Sequence, residues 1–164
     1  MNKIVITGMG AVTPIGIGVA EYWNGLVSGV HGIGKITRFD ASALPVQIAA
    51  EVKGFDATEH MPRKLAREMD LFMQYGYVAA EEAMQDADLH PDAPEARTVP
   101  AERIGIVVGT AFAGIATIAE TQNSISTGAQ SKVSPRFVPK VIGNIAAAQI
   151  AIAKGLRGPS LTVT

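Results

Sequence analysis

The sequence predicts an α/β domain in which a mixed or parallel sheet is covered by helices, and three observations carry the prediction. Two β-branched runs, Lys3–Thr7 and Arg103–Thr110, each feed a glycine-containing turn, as buried strands of such sheets do. Segments with three- and four-residue apolar spacing lie between and after them, giving a strand–helix–strand–helix order. Hydrophobic residues make up 48% of the 164 residues, chiefly Ala, Val and Ile, with 5% aromatics and 17 Gly, which suits helices packed close on strands.

The elements follow in order. Lys3–Thr7 reads as a buried strand entering the loop Gly8-Met9-Gly10. Val19–Val27 has helical spacing, with Val19, Trp23, Leu26 and Val27 on one face, and Ser28-Gly29 and Gly32-Ile33-Gly34 break it. Val46–Val52, after Pro45, reads as a strand. A long helix starts at Pro62, suited to a first turn, and its apolar positions Leu65, Met69, Phe72, Met73, Ala80, Ala83 and Met84 carry it to about Ala87. His90–Pro100 is a proline-rich surface loop, and Arg103–Thr110 is the second buried strand, turning at Gly109–Gly114. A helix spans Ile115 to Ser126, and a polar loop from Gly128 leads to Ser134–Pro139, which the two prolines hold extended. Val141–Ala153 is a small-residue helix closed by Lys154 and Gly155, and Gly158-Pro159 turns into a strand at Leu161–Thr164.

The totals exclude several classes. A net charge of −1 leaves no electrostatic footprint for nucleic acid or an anionic membrane. The absence of Cys rules out disulfides and thiolate metal sites within the chain. The N-terminal apolar run is too short for a signal peptide, and Ile145–Ala153 is far shorter than a membrane span, so a cytoplasmic protein is expected. His31, His60 and His90 fit no metal-ligand spacing.

The Gly8-x-Gly10 turn invites a dinucleotide reading. That reading requires a third glycine three residues on, and Thr13 stands there, followed by Pro14. No cofactor is expected, and the glycines are read as permitting a sharp exit from the strand. Arg63, Lys64 and Arg67 form either a solvated face or a surface for an acidic partner. These residues alone describe an α/β domain without an identifiable reaction centre.

Six stretches in register point further. Val5–Gly16, Ile36–Asp40, Met69–Gly76, Gly109–Gly114, Ser134–Pro139 and Gly155–Ser160 together resemble the β-ketoacyl-acyl carrier protein synthases of the elongating type II class. The resemblance runs from end to end. It implies the N-terminal half of a thiolase-like fold, with residues 1–164 as the N-terminal part of a ketosynthase domain in a homodimer that works with acyl carrier protein. In that family, the strand matching Leu161–Thr164 leads within a few residues to the nucleophilic cysteine. Two catalytic histidines and a lysine lie in the second half. No catalytic residue is therefore expected within this chain, and Thr164 is expected to mark a truncation.

By the same resemblance, Phe112 falls where the family places the floor of the acyl pocket. Phe137, Val138 and Ile142 match residues that cross the dimer interface and line the partner's acyl tunnel. Ordinary core packing stands as the alternative for all four. Two other functional readings remain open: a polyketide chain-length-factor-like partner subunit that lacks the cysteine, and a small stand-alone α/β binding module in which Leu161–Thr164 is an edge strand.

Overall fold

A computed structural model describes residues 3–129 and 133–164. Its elements are β1 (Val12–Thr13), β2 (Gly16–Ile17), α1 (Val19–Val27), β3 (Ile33–Lys35), β4 (Ile48–Ala50), α2 (Arg63–Glu68), α3 (Leu71–Asp86), β5 (Ile106–Gly109), α4 (Ile115–Ser126), α5 (Phe137–Val141), α6 (Asn144–Lys154) and β6 (Ser160–Val163). β1–β2 and β3–β4 are antiparallel pairs, whereas β5 and β6 run parallel, with Ile106 opposite Ser160 and Gly109 opposite Val163. The mixed α/β architecture is as the sequence predicts.

The core lies where α3 and α6 cross beneath β5 and β6. Met69, Met73, Tyr77 and Val78 bury against Ala146, Ala147 and Ile150. The alanines of α6 let its backbone approach closely, and the flexible methionines fill the remaining irregular space. Gly155, at φ 63°, ends α6 in the left-handed conformation that glycine adopts without strain.

Several expectations are corrected. Lys3–Thr7 forms no strand pairing among the described residues, and Ile4 is 99% exposed. A strand needs a neighbour's N–H and C=O groups, and among the described residues β5 is paired only with β6. The helix expected from Pro62 to Ala87 is two helices. Met69 is extended at ψ 143°, and Asp70 restarts the chain by accepting the Phe72 N–H (3.4 Å). This break puts Arg67 in the last turn of α2, where the helix dipole favours a cation. Gly32–Gly34, read as a break, contributes to β3, whose partner β4 is shorter than Val46–Val52.

Three further corrections concern burial and helix starts. The apolar face of α1 is largely open, with Trp23 61% exposed and Gly25 the buried residue. Ser134–Pro139 is not extended throughout, because α5 begins at Phe137. Pro139 sits in its first turn, where no backbone N–H is required. The following helix starts at Asn144 instead of Val141. Part of the polar loop expected from Gly128 falls on residues 130–132, outside the described residues.

Candidate functional site

The parallel strands β5 and β6 end side by side, and the chain leaving β5 forms the loop Thr110–Gly114 at their carboxyl ends. That edge is where parallel α/β sheets place their ligands. The Thr110 N–H donates to Val163 O (2.9 Å) and its hydroxyl to Phe112 O (2.6 Å), which pins the loop backbone to β6 and to itself. Gly114 is left-handed at φ 54° and starts α4. A Cβ there would lie 2.6 Å from Lys140 O and 2.6 Å from Val141 Cα, so α5 rests on bare backbone. A Cβ on Gly143 would sit 3.3 Å from Thr110 Cγ2, 3.6 Å from Ala113 Cβ and 3.7 Å from Thr162 Cγ2. The loop, the α5–α6 joint and β6 thus converge on one point.

Within this arrangement Phe112 lies in the loop, with its side chain 76% exposed. Phe137 is half-buried at the start of α5, while Val138 on α5 and Ile142 just after it are exposed. The fold therefore brings the segments carrying all four residues to one end of the sheet. An apolar cleft of about 380 Å³ lies nearby between α3, α6 and β5, lined by Phe72, Tyr75, Gly76, Val108 and Ile150, and none of the four residues lines it.

Asp70 and Thr117 were not singled out by the sequence reading. The buried Asp70 carboxylate caps α3 and also accepts the Thr117 hydroxyl, joining α3 to the first turn of α4 and so supporting the loop before it. An Asp before the apolar run at Leu71 is a recognisable helix-start signal.

A second region surrounds α2. Arg63 and Arg67, with Phe55 and Gln74, line an open groove of about 460 Å³. Phe55 stacks on His60 (5.7 Å between centroids) and meets Tyr75 edge-on (4.8 Å). Among the described residues, Arg63, Lys64 and Arg67 have no carboxylate within 4 Å. Hydrogen bonds from the Thr58 hydroxyl and backbone hold the Asp56 carboxyl below its ordinary range, so it stays ionised at the groove's edge.

Lys154, expected only to close α6, is instead buried, at 3% exposure. It pairs with Glu81 (3.2 Å) and Asp92 (3.2 Å) and lies over the Tyr77 ring. Burial pushes its ammonium down, but Tyr77 and Glu81 outweigh that and hold it above its ordinary value. His31, His60 and His90 join no cluster of three or more potential metal ligands among the described residues. No helix among those residues is long and apolar enough to cross a membrane.

The chain is 39% identical over 164 residues to the 3-oxoacyl-[acyl-carrier-protein] synthase 2 of Synechocystis sp. and 40% identical to that of Staphylococcus aureus, covering 99% of this chain in each case. It spans 38% of the length of these curated relatives. Among solved structures, the ishigamide ketosynthase/chain length factor matches with a TM-score of 0.79 at 29% identity, over 98% of this chain and 39% of the other. A β-ketoacyl synthase from Burkholderia phymatum shares the fold, with a TM-score of 0.76 at 23% identity over 99% of this chain and 39% of the other. These likenesses give the N-terminal half of the thiolase-like ketosynthase fold. The family described as "Beta-ketoacyl synthase, N-terminal domain" matches residues 1–164, and the chain belongs to that family.

Proposed function

We propose that this chain is the front part of an enzyme that condenses an acyl thioester with malonyl-acyl carrier protein to give 3-oxoacyl-acyl carrier protein in fatty acid elongation. The observation that carries the reading is the convergence of the Phe112 loop, the α5–α6 joint and β6 at the carboxyl ends of two parallel strands, in a chain about 40% identical to synthases of this type. Condensation needs a thiolate to take the acyl group from the carrier, which leaves as its own thiol. The malonyl carboxyl then leaves as CO2, the resulting carbanion attacks the acyl carbonyl and the enzyme thiolate is released, with donors needed for the developing thioester oxyanion. The 164 residues contain no Cys, so they do not form the acyl-enzyme by themselves.

Phe112 closes the floor of the acyl pocket. Phe137, Val138 and Ile142 face a second subunit, consistent with the exposure of Val138 and Ile142. Arg63, Lys64 and Arg67 of α2, without a carboxylate within 4 Å among the described residues, receive the acidic carrier protein. Support for a carrier comes from a structural neighbour solved as a ketosynthase in complex with its acyl carrier protein, whose likeness (TM-score 0.70, 24% identity, 93% of this chain and 40% of the other) is one of fold.

A chain-length-factor-like partner subunit is the second reading, favoured by the likeness to a ketosynthase/chain length factor pair. A stand-alone module accords poorly with the exposed Trp23, Val107, Phe112 and Leu161. Intact-mass analysis after incubation with acyl-carrier-protein thioester separates these. The enzyme reading expects one acyl adduct on a cysteine of the whole protein and none on residues 1–164. A whole protein that takes no adduct supports the partner-subunit reading and overturns ours.

A further inference from the structure

The segment from Gly8 to Val19 makes no ladder with β5 or β6, yet it is fixed against α3 by side-chain charge. The Met9 N–H donates to Asp86 Oδ2 (3.0 Å), the Ala11 N–H to Glu82 Oε2 (2.9 Å) and the Val19 N–H to Glu82 Oε1 (2.7 Å). Glu82 and Asp86 are one helical turn apart and present both carboxylates to the same side. Glu82 divides its two oxygens between two places in the chain, one at the entry to the β1–β2 hairpin and one at the start of α1.

The need for this arrangement can be read in α1 itself. Its N-cap position is Gly18, and no side chain at that position caps the helix. The first N–H groups of a helix have no internal partner and sit at the positive end of its dipole, where a carboxylate is a well-matched acceptor. Glu82 supplies it from another helix. The approach is possible only because Gly8 and Gly10 lie on α3. A Cβ on Gly8 would collide with Ala83 O and sit 2.6 Å from Ala87 N, and one on Gly10 would collide with Ala79 O.

We propose that Glu82, with Asp86 beside it, is a latch that fixes the Gly8–Val19 segment and α1 to α3. The Lys3–Thr7 run is then held in one place whether or not a strand pairs with it. The other charged groups around the latch are Glu81 on α3 and Glu59 and His60 from the turn at 57–60, which line the cleft beside Glu82, and Glu21 on α1, which accepts the Ile17 N–H (3.1 Å). Glu81 is occupied by Lys154. Among the described residues no cation lies within 4 Å of Glu82, so its partners are the two N–H groups.

Amide hydrogen exchange on the whole protein tests this. Glu82→Gln keeps the shape and one carbonyl oxygen but turns an NH2 toward the second donor. One of the Ala11 and Val19 amides should then exchange at least about tenfold faster. In Glu82→Ala both should, while the Thr110 amide, bonded to Val163 O, keeps its protection. Wild-type exchange at both Ala11 and Val19 in either variant, with Thr110 still protected, would overturn the proposal. Should Glu82→Ala fail to fold, the Glu82→Gln result decides alone.

Discussion

The hydroxyl of Thr117 donates to the same carboxylate, that of Asp70, that caps α3, so one buried side chain sets both where α3 begins and how α4 leaves the Phe112 loop. Asp70→Ala removes a cap and strands the Thr117 hydroxyl, and should cost roughly 1–3 kcal/mol in urea unfolding. Thr117→Val should cost about 1 kcal/mol. The two losses should be less than additive when combined, because they remove one shared interaction. Full additivity would show that the contact contributes nothing.

Gly10 and Gly76 should respond to alanine in opposite senses. At Gly10 the new methyl meets the α3 backbone, and overpacking of about 1–3 kcal/mol or more is expected. Gly76, inside α3, has nothing within 4 Å of its absent Cβ among the described residues, and alanine there should stabilise residues 1–164 by about 0.5–1 kcal/mol. If another segment covers the cleft in the longer protein, Gly76→Ala turns destabilising there, so thermal melts of both forms locate that covering.

Lys154 ties α6 to α3 through Glu81 and to the His90–Pro100 loop through Asp92. Its folded-state value is raised, so its contribution is fully present below the unfolded lysine value of about 10.4 and is lost as pH climbs through the folded one. Stability should therefore decline at strongly alkaline pH, and Lys154→Met should flatten that decline. At neutral pH the same variant leaves Glu81 without its cation and should cost about 3–5 kcal/mol, with most of the loss recovered in Lys154→Met/Glu81→Met.

Phe112→Ala, in the whole protein, should lengthen the longest acyl chain accepted, because the aromatic ring is removed from a loop whose backbone is already pinned. Competition between acyl-carrier-protein thioesters of increasing length reads this directly. Unchanged preference would return Phe112 to a packing role.

Reversing charge on α2 should separate docking from chemistry. Arg63→Glu with Arg67→Glu is expected to raise KM for the carrier protein about tenfold or more at low salt, with kcat little changed and the effect shrinking as ionic strength rises. An unchanged KM would leave the cluster as a solvated face.

How far the sequence foretold this structure depended on whether the forces at a position were local. α4 was legible at both ends, the Gly155 cap was legible too, and β6 (Ser160–Val163) was legible to within one residue of the expected Leu161–Thr164, because turn residues and periodicity act within a few positions. The break at Met69 was hidden by an apolar rhythm that continues across it, although Asp70 carried the signal. Lys3–Thr7 has strand composition, but composition cannot provide a partner edge. Lys154 was read only as closing α6, because its partners Glu81 and Asp92 lie far away in sequence. For Phe112, Phe137, Val138 and Ile142 the resemblance implied a pocket floor and a subunit interface, and that the fold gathers their segments at one end of the sheet follows from long-range packing. The exposure of Phe112 and Val138 is set by long-range packing, which local patterns do not encode.

The bare backbone at Gly114 leaves no slack between the turn after β5 and the helix resting on it. A shift of one is mechanically a shift of the other, so a guest molecule that displaced Phe112 by moving its whole turn would also drag α5. If Phe112 has the proposed pocket role, adaptation to guests of different size would fall to side-chain rotation at Phe112, and a library aimed at altered selectivity should vary that residue while keeping the glycine.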